Sequence, residues 1–224
     1  TLGRGSVTLY VDGNAGQSIL RFQRQDGYTL LPGQQILAVT GGTLGDLSKT
    51  YVEVDTLGTG LTLNGGTIDL LLGSSNSAAG ILRVGTATNG AILNIDAGST
   101  VKTGRFFLSE ASGVAGNVNQ TGGAVTVSDT LRIAHWGNNV STYNLSGGTL
   151  SLTNTNPGAL PNGGGEQSGG VYVGVDGVGI LNQSGGTLTT PWVVLDNRGP
   201  STVNSTISQY TLTRGTLTLT PQVG

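Results

Sequence analysis

Three stretches of this chain are nearly the same phrase: NQTGGAVTV at 119–127, NLSGGTLSL at 144–152 and NQSGGTLTT at 182–190. The first two begin 25 residues apart. Self-similarity limits the possible folds more than any other feature, because each repeat must be one supersecondary unit that its neighbours help to bury. The Gly-Gly-Thr element recurs at Gly41, Gly65, Gly147 and Gly185, with variants that open at Gly98, Gly122 and Arg214. These seven anchors lie 24, 33, 24, 25, 38 and 29 residues apart. The long gaps hold insertions, chiefly NTNPGALPNGGGEQSGG at 154–170 and GSSNSAAG at 73–80.

Each later anchor opens a segment of period two, such as TIDLLL, AVTVS, TLSLT and TLTLT. A second strand-like segment recurs as ILRVG at 81–85, RFFLS at 105–109, TLRIA at 130–134, GVYVG at 170–174 and PWVVL at 191–195. A third carries AILNI, GNVNQ, TYNLS and GILNQ. Helical spacing is nowhere sustained. Glycine at 40 of 224 residues, with only 10% charged residues, fits many turns joining short strands. Three strands per repeat, joined at Gly and Asn corners, describe an all-β parallel solenoid of about seven to eight coils. Its windings would stack at the inter-strand spacing of about 4.8 Å.

That stacking predicts columns of equivalent side chains. Leu82, Phe106, Leu131, Val171 and Trp192 form one inward column; Val84, Leu108, Ile133, Val173 and Val194 form a second. Arg83, Phe107, Arg132, Tyr172 and Val193 form an outward column whose cations and rings stack. Gly-Gly supplies corners that a Cβ resists. Asn94, Asn119, Asn144 and Asn182 fall at one position and read as an amide ladder. Asn119, Asn139, Asn144, Asn182 and Asn204 also stand in Asn-x-Ser/Thr patterns, which in three of them, Asn119, Asn144 and Asn182, are simply the repeat.

Residues 1–36 lack the Gly-Gly-Thr element and read as atypical capping strands continuous with a repeat region at 37–224, in one domain overall. The last strand, TLTLTPQVG, has little to cap it, so its edge is open to end-to-end stacking. Thr1 rather than Met opens the sequence, as expected of a processed or excised chain.

Charge and motifs exclude several functions. The net charge is −2, and only Lys49 and Lys102 are lysines. A basic footprint for nucleic acid is absent, and no apolar run is long enough to insert in a membrane. Cysteine and methionine are both missing, which removes thiolate sites and disulfides. There is no phosphate-binding loop or nucleophile elbow, and no metal or cofactor is expected.

One constellation carries chemistry. The predicted columns bring Glu110, His135, Asp176 and Asp196 to one edge, with Trp136, Arg132, Tyr172 and Arg198 beside them. The 154–170 insertion would wall that edge. Acids, an Arg and aromatics so placed suit general acid–base work on sugars, or sugar binding without catalysis. The plainer reading is a solvated corner, and the balance is against an enzyme.

The units ILRVGTATNGAILNIDAGSTV, LRIAHWGNNVSTYNLSGGTLSL and VYVGVDGVGILNQSGGTLTTPWVVL resemble the β-strand repeats of bacterial autotransporter passenger domains. They are also similar to repeats of extracellular proteins with sorting tails of the PEP-CTERM type. The resemblance spans about 35 to 220. It implies a right-handed parallel β-helix, export to the bacterial surface or medium, and a role in adhesion, surface layers or matrix. It carries over no site residues. The expectation is therefore a secreted or cell-surface bacterial module, structural or adhesin-like, that self-assembles into a homo-oligomer or filament. The alternative is a carbohydrate-binding or polysaccharide-active protein.

Overall fold

The computed structural model describes residues 6–11, 18–40, 50–71, 80–154, 169–198, 202–203 and 206–220. Among them the chain forms strands and no helix. The first seven are β1 (Ser6–Val11), β2 (Ser18–Phe22), β3 (Tyr28–Leu30), β4 (Gln35–Thr40), β5 (Thr50–Val54), β6 (Leu61–Leu63) and β7 (Thr67–Asp69). There follow β8 (Ile81–Val84), β9 (Ala91–Ile95), β10 (Thr100–Leu108), β11 (Gly116–Gln120), β12 (Ala124–Ile133), β13 (Val140–Leu145) and β14 (Thr149–Leu152). The rest are β15 (Val171–Val173), β16 (Val178–Gln183), β17 (Thr187–Thr190), β18 (Val193–Leu195), β19 (Thr202–Val203), β20 (Thr206–Ile207), β21 (Gln209–Leu212) and β22 (Thr216–Leu219).

These strands build three parallel ladders. The first runs β1-β4-β7-β10-β12-β14-β17-β22. The second runs β2-β5-β8-β10-β12-β15-β18 and shares β10 and β12 with the first. The third runs β3-β6-β9-β11-β13-β16-β21. Among the described residues only the short pair β19–β20 is antiparallel. The chain visits β8, then β9, then the start of β10, and returns along β10 to lie beside β8. Parallel neighbours one winding apart are what the 24- and 25-residue spacings demand. This is an all-β arrangement consistent with a β-solenoid.

Strand alternation points every second side chain into the space between the ladders. Ile68, Val101, Val125, Leu150 and Leu188 fill it from the first ladder, and Val52, Leu82, Phe106, Leu131 and Val171 from the second. Leu61, Leu93, Val118, Tyr143 and Leu181 fill it from the third. The Gln of the repeated phrase also turns inward. Tyr143 donates its hydroxyl to the buried Gln120 Oε1 at 2.6 Å, and Gln120 Nε2 donates to the Thr149 carbonyl at 2.9 Å. Gln183 repeats this with the Thr216 carbonyl and Tyr210. Each buried amide thereby joins a turn to the next winding's tyrosine.

The asparagine of the phrase faces outward. Asn182, Asn144 and Asn119 each donate Nδ2 to the Oδ1 of the Asn one layer below at 3.0 Å, and Asn94 closes the ladder on the Thr59 carbonyl. These amides are structural donors. Asn139 is buried and donates to Ser109 Oγ and the Trp136 carbonyl. Gly41–Thr43 and Asn204, like the two large insertions apart from Gly80, Asn154, Gly169 and Gly170, lie outside the described residues.

The columns hold from 81 to 173, but the last layer slips by one residue. Val193, not Trp192, follows Val171; Leu195 follows Val173; Val194 takes the outward place after Tyr172. The cause is the bend before β18. Thr190 Oγ1 donates to the Trp192 carbonyl at 2.9 Å, as Thr103 Oγ1 does to the Arg105 carbonyl at 2.8 Å. Thr-Pro-Trp thus repeats the Thr-Gly-Arg bend, and Trp192 takes the bend position. Its indole lies where a Cβ on Gly170 would fall, 2.2 Å from Nε1.

Burial pushes the Tyr143 phenol far above its usual range, and burial also raises Tyr210. A raised folded-state value adds stability below the unfolded tyrosine's range, lost as pH climbs past about 10. Denaturant midpoints should fall above that pH. Tyr143→Phe should flatten this fall while costing about 1–3 kcal/mol at neutral pH, because Gln120 loses its buried donor. An unchanged pH profile in the variant would contradict the assignment.

Candidate functional site

The edge singled out in the sequence is a corner following the second ladder. Val84, Leu108, Ile133, Val173 and Leu195 share an inward column there. The residue after each has a positive φ: Gly85 at 78°, Ser109 at 69°, Ala134 at 58°, Gly174 at 83° and Asp196 at 51°. Ser109, Ala134 and Asp196 are the non-glycine residues in that region among those described. The chain therefore turns left-handed at the same point in successive layers, even where a Cβ resists it.

Beyond the turn, Glu110, His135 and Val175 stand two residues past the column, as expected. Asp196 does not join them. The one-residue slip puts it in the turn itself, Asn197 in the row of His135, and Arg198 in the row of Trp136 and Asp176. Asp196 Oδ1 is buried with no hydrogen-bond partner, and among the described residues no bond joins it to Glu110 or His135.

Glu110 and His135 do meet. Glu110 Oε1 pairs with His135 Nδ1, and Glu110 Oε2 lies 3.3 Å from Arg83 Nη2. Arg132 Nη1 lies 2.9 Å from His135 Nε2. A guanidinium only donates, so Nε2 must accept and the ring proton sits on Nδ1, directed at Glu110. His135 is 5% exposed, with its ring 4.6 Å from that of Phe107. Both imidazole nitrogens are thus engaged, which leaves no lone pair for taking a proton from a substrate.

The pair belongs to a longer string. Arg83 also reaches Glu53 at 3.4 Å, and Glu53 accepts from Arg21 Nε at 2.6 Å. Signs alternate from Arg21 through Glu53 and Arg83 to Glu110. Arg83 lies 4.0 Å over the Tyr51 ring, and Arg132 packs at 5.0 Å on Phe107 and 6.0 Å on Tyr172. Arg132 and Tyr172 are both buried. The expected cation–ring column therefore exists, as packing.

Sequence reasoning missed Arg21, Glu53 and Asp55. The clue was the Gly41-Gly42-Thr43 anchor ahead of TYVEVD: Val54 pairs with Val84, so the columns extend one winding further back. Asp55 then stands at the turn. Its Oδ1 accepts the Thr86 and Ala87 amides at 2.7 and 2.9 Å, and Oδ2 accepts the Thr86 hydroxyl at 2.6 Å.

Trp136 is different. It is 46% exposed, with the Arg198 guanidinium 5.8 Å from its ring. Arg198 Nη1 donates to Asp176 Oδ2 at 2.8 Å. This open indole with a paired cation and acid is the accessible part of the corner. Among the described residues no cluster of acids and histidine is arranged to hold a metal ion. Asp55→Ala should cost about 1–3 kcal/mol, because the Thr86 and Ala87 amides lose a buried acceptor. Urea denaturation measures it, and a loss within experimental error would show that the turn holds itself.

Comparison with protein-family models, curated proteins and solved structures yields no match for this chain.

Proposed function

We propose that this chain is an extracellular structural module, adhesin-like, secreted by or displayed on a bacterium. It is read as a right-handed parallel β-helix of seven to eight coils. The hand follows the strong preference of parallel crossovers, and the resemblance to autotransporter and PEP-CTERM-type repeats supports both hand and location. One observation carries the structural role. The side chains best suited to catalysis, Glu110 and His135, are consumed in pairing with each other and with Arg83 and Arg132. Chemistry that binds winding to winding is not free for a substrate. Low charge and outward faces of Thr, Ser and Asn suit a rigid, hydrated spacer.

A second reading rests on Trp136. An exposed indole beside Arg198 and Asp176 offers an apolar sugar-stacking face with hydrogen-bonding groups at its rim. A panel of soluble and insoluble polysaccharides separates the two. The structural reading predicts no retention and no new reducing ends or unsaturated uronates. Retention that Trp136→Ala abolishes would favour the sugar-binding reading. Cleavage lost in His135→Ala or Glu110→Ala would overturn both.

A further inference from the structure

The outward residues of the three ladders differ in kind. Those of the second are the arginines, acids and rings described above, and those of the third include the self-bonded asparagine ladder. The first ladder carries hydroxyls. β14 reads Thr149-Leu150-Ser151, β17 begins Thr187-Leu188-Thr189 and β22 begins Thr216-Leu217-Thr218. In each the leucine packs in the core and the residues on either side face out. Pairing aligns them: Thr149, Thr187 and Thr216 form one rank, and Ser151, Thr189 and Thr218 form a second. β12 extends both ranks with Ala124 and Thr126 in unbroken register. None of these outward side chains is buried, and none of their hydroxyls has a hydrogen-bond partner among the described residues.

The array is neutral. One strand further on, Lys102 continues the second rank, and its Nζ pairs with Asp69 Oδ2 at 3.0 Å. An uncharged face suits a neutral partner and offers little to an ionic one. Among the described residues no aromatic ring stands in either rank, so the platform on which sugars stack is missing there. Threonine is β-branched and stiff at χ1, so its hydroxyl and methyl are held in place before any ligand arrives.

Spacing narrows the partner further. Equivalent hydroxyls repeat at about 4.8 Å from winding to winding, and at about 6.6–6.8 Å between the two ranks, which is two residues of strand. Water molecules joined tetrahedrally by hydrogen bonds of about 2.75 Å have second neighbours at about 4.5 Å, in layers that repeat at about 7.3 Å. The two nets agree to within about a tenth in both directions. Waters held on these hydroxyls therefore already lie near the sites of a solid water surface.

We propose that this face binds ice, through the two hydroxyl ranks that run from β12 to β22. Each water-mediated contact is weak, and many contacts on one rigid face act together. The binding needs only the register of the first ladder, so it lies beyond the structural role and is separate from Trp136.

Ice grown slowly in a dilute solution of the purified chain tests this, by the fraction of chain taken into the solid. A protein without such a face is pushed ahead of the freezing front. The wild-type chain should be enriched in the ice by about tenfold or more over such a control. Thr149→Lys with Thr187→Lys stands two flexible charges on one rank and should lower the ice-bound fraction by about tenfold. Thr142→Lys, outward on the third ladder, should leave it unchanged. If the lysine pair loses its β-sheet circular dichroism, Thr187→Tyr decides the matter, because tyrosine suits a strand and its ring stands proud of the array. A wild-type chain excluded from ice like the control overturns the proposal. So does a variant of Thr187 that folds and enters ice as wild type does, or a Thr142→Lys form that loses ice equally. Retention on crystalline cellulose or chitin without ice enrichment, lost in Thr187→Tyr, would overturn it in favour of a polysaccharide crystal. A concentration-dependent dimer without ice enrichment, lost in the same variant, would overturn it in favour of a second copy.

Discussion

Parallel backbone pairing between one winding and the next governs everything else in this molecule. A winding of about 25 residues returns the chain beside itself in register. Each side chain then meets its equivalent one layer away, at about 4.8 Å. Like therefore stacks on like: Leu82 on Phe106 on Leu131, Asn94 on Asn119 on Asn144. The core is a bundle of such columns, and no single winding can bury its own share.

Stacking is safe for aliphatic groups and dangerous for charges. An ionised column of one sign would repel itself, so the outward column of the second ladder alternates. Arg21, Glu53 and Arg83 occupy successive layers, and Glu110 reaches in from the corner. Where cations recur without an acid between, as at Arg83 and Arg132, the ring of Phe107 intervenes. Amides stack without this constraint, because each carries both a donor and an acceptor. That is why the asparagine ladder can be uniform while the charged one cannot. The same logic turns the Glu110–His135 pair from a candidate acid–base couple into a fastening between layers.

The repeat made much of this legible. Gly-Gly anchors located the turns, and period-two strands assigned the inward columns from Leu82 to Val173. The misplacement of Asp196 came from one proline. Pro191 looked like the start of a strand, whereas Thr190-Pro191-Trp192 forms the bend that Thr103-Gly104-Arg105 forms elsewhere. Two such different triplets share a hydrogen bond but no residue pattern beyond Thr. Glu53 and Asp55 were passed over for another reason: the stretch between the Gly41-Gly42-Thr43 anchor and TYVEVD differs in length from its counterparts in the other windings, so spacing alone did not align it with ILRVGT. The inward Gln120 and Gln183 were equally hidden, since a buried amide is only tolerable once Tyr143 and Tyr210 arrive from the next winding. The strained turns at Ser109 and Ala134 occupy places where glycine at 85 and 174 had already marked the geometry.

The most direct test of this stacking uses the absence of native cysteine. Cysteines placed at Asn119 and Asn144 fall on in-register partners in adjacent strands. Their Cα separation should lie near the inter-strand spacing of about 4.8 Å, within disulfide reach. A pair at Asn119 and Thr142 is offset by two residues along the strand and lies beyond about 7 Å. Under mild oxidation the first pair should close within the monomer and the second should stay reduced. Equal closure of both, or closure of the offset pair alone, would mean that the windings do not lie in this register.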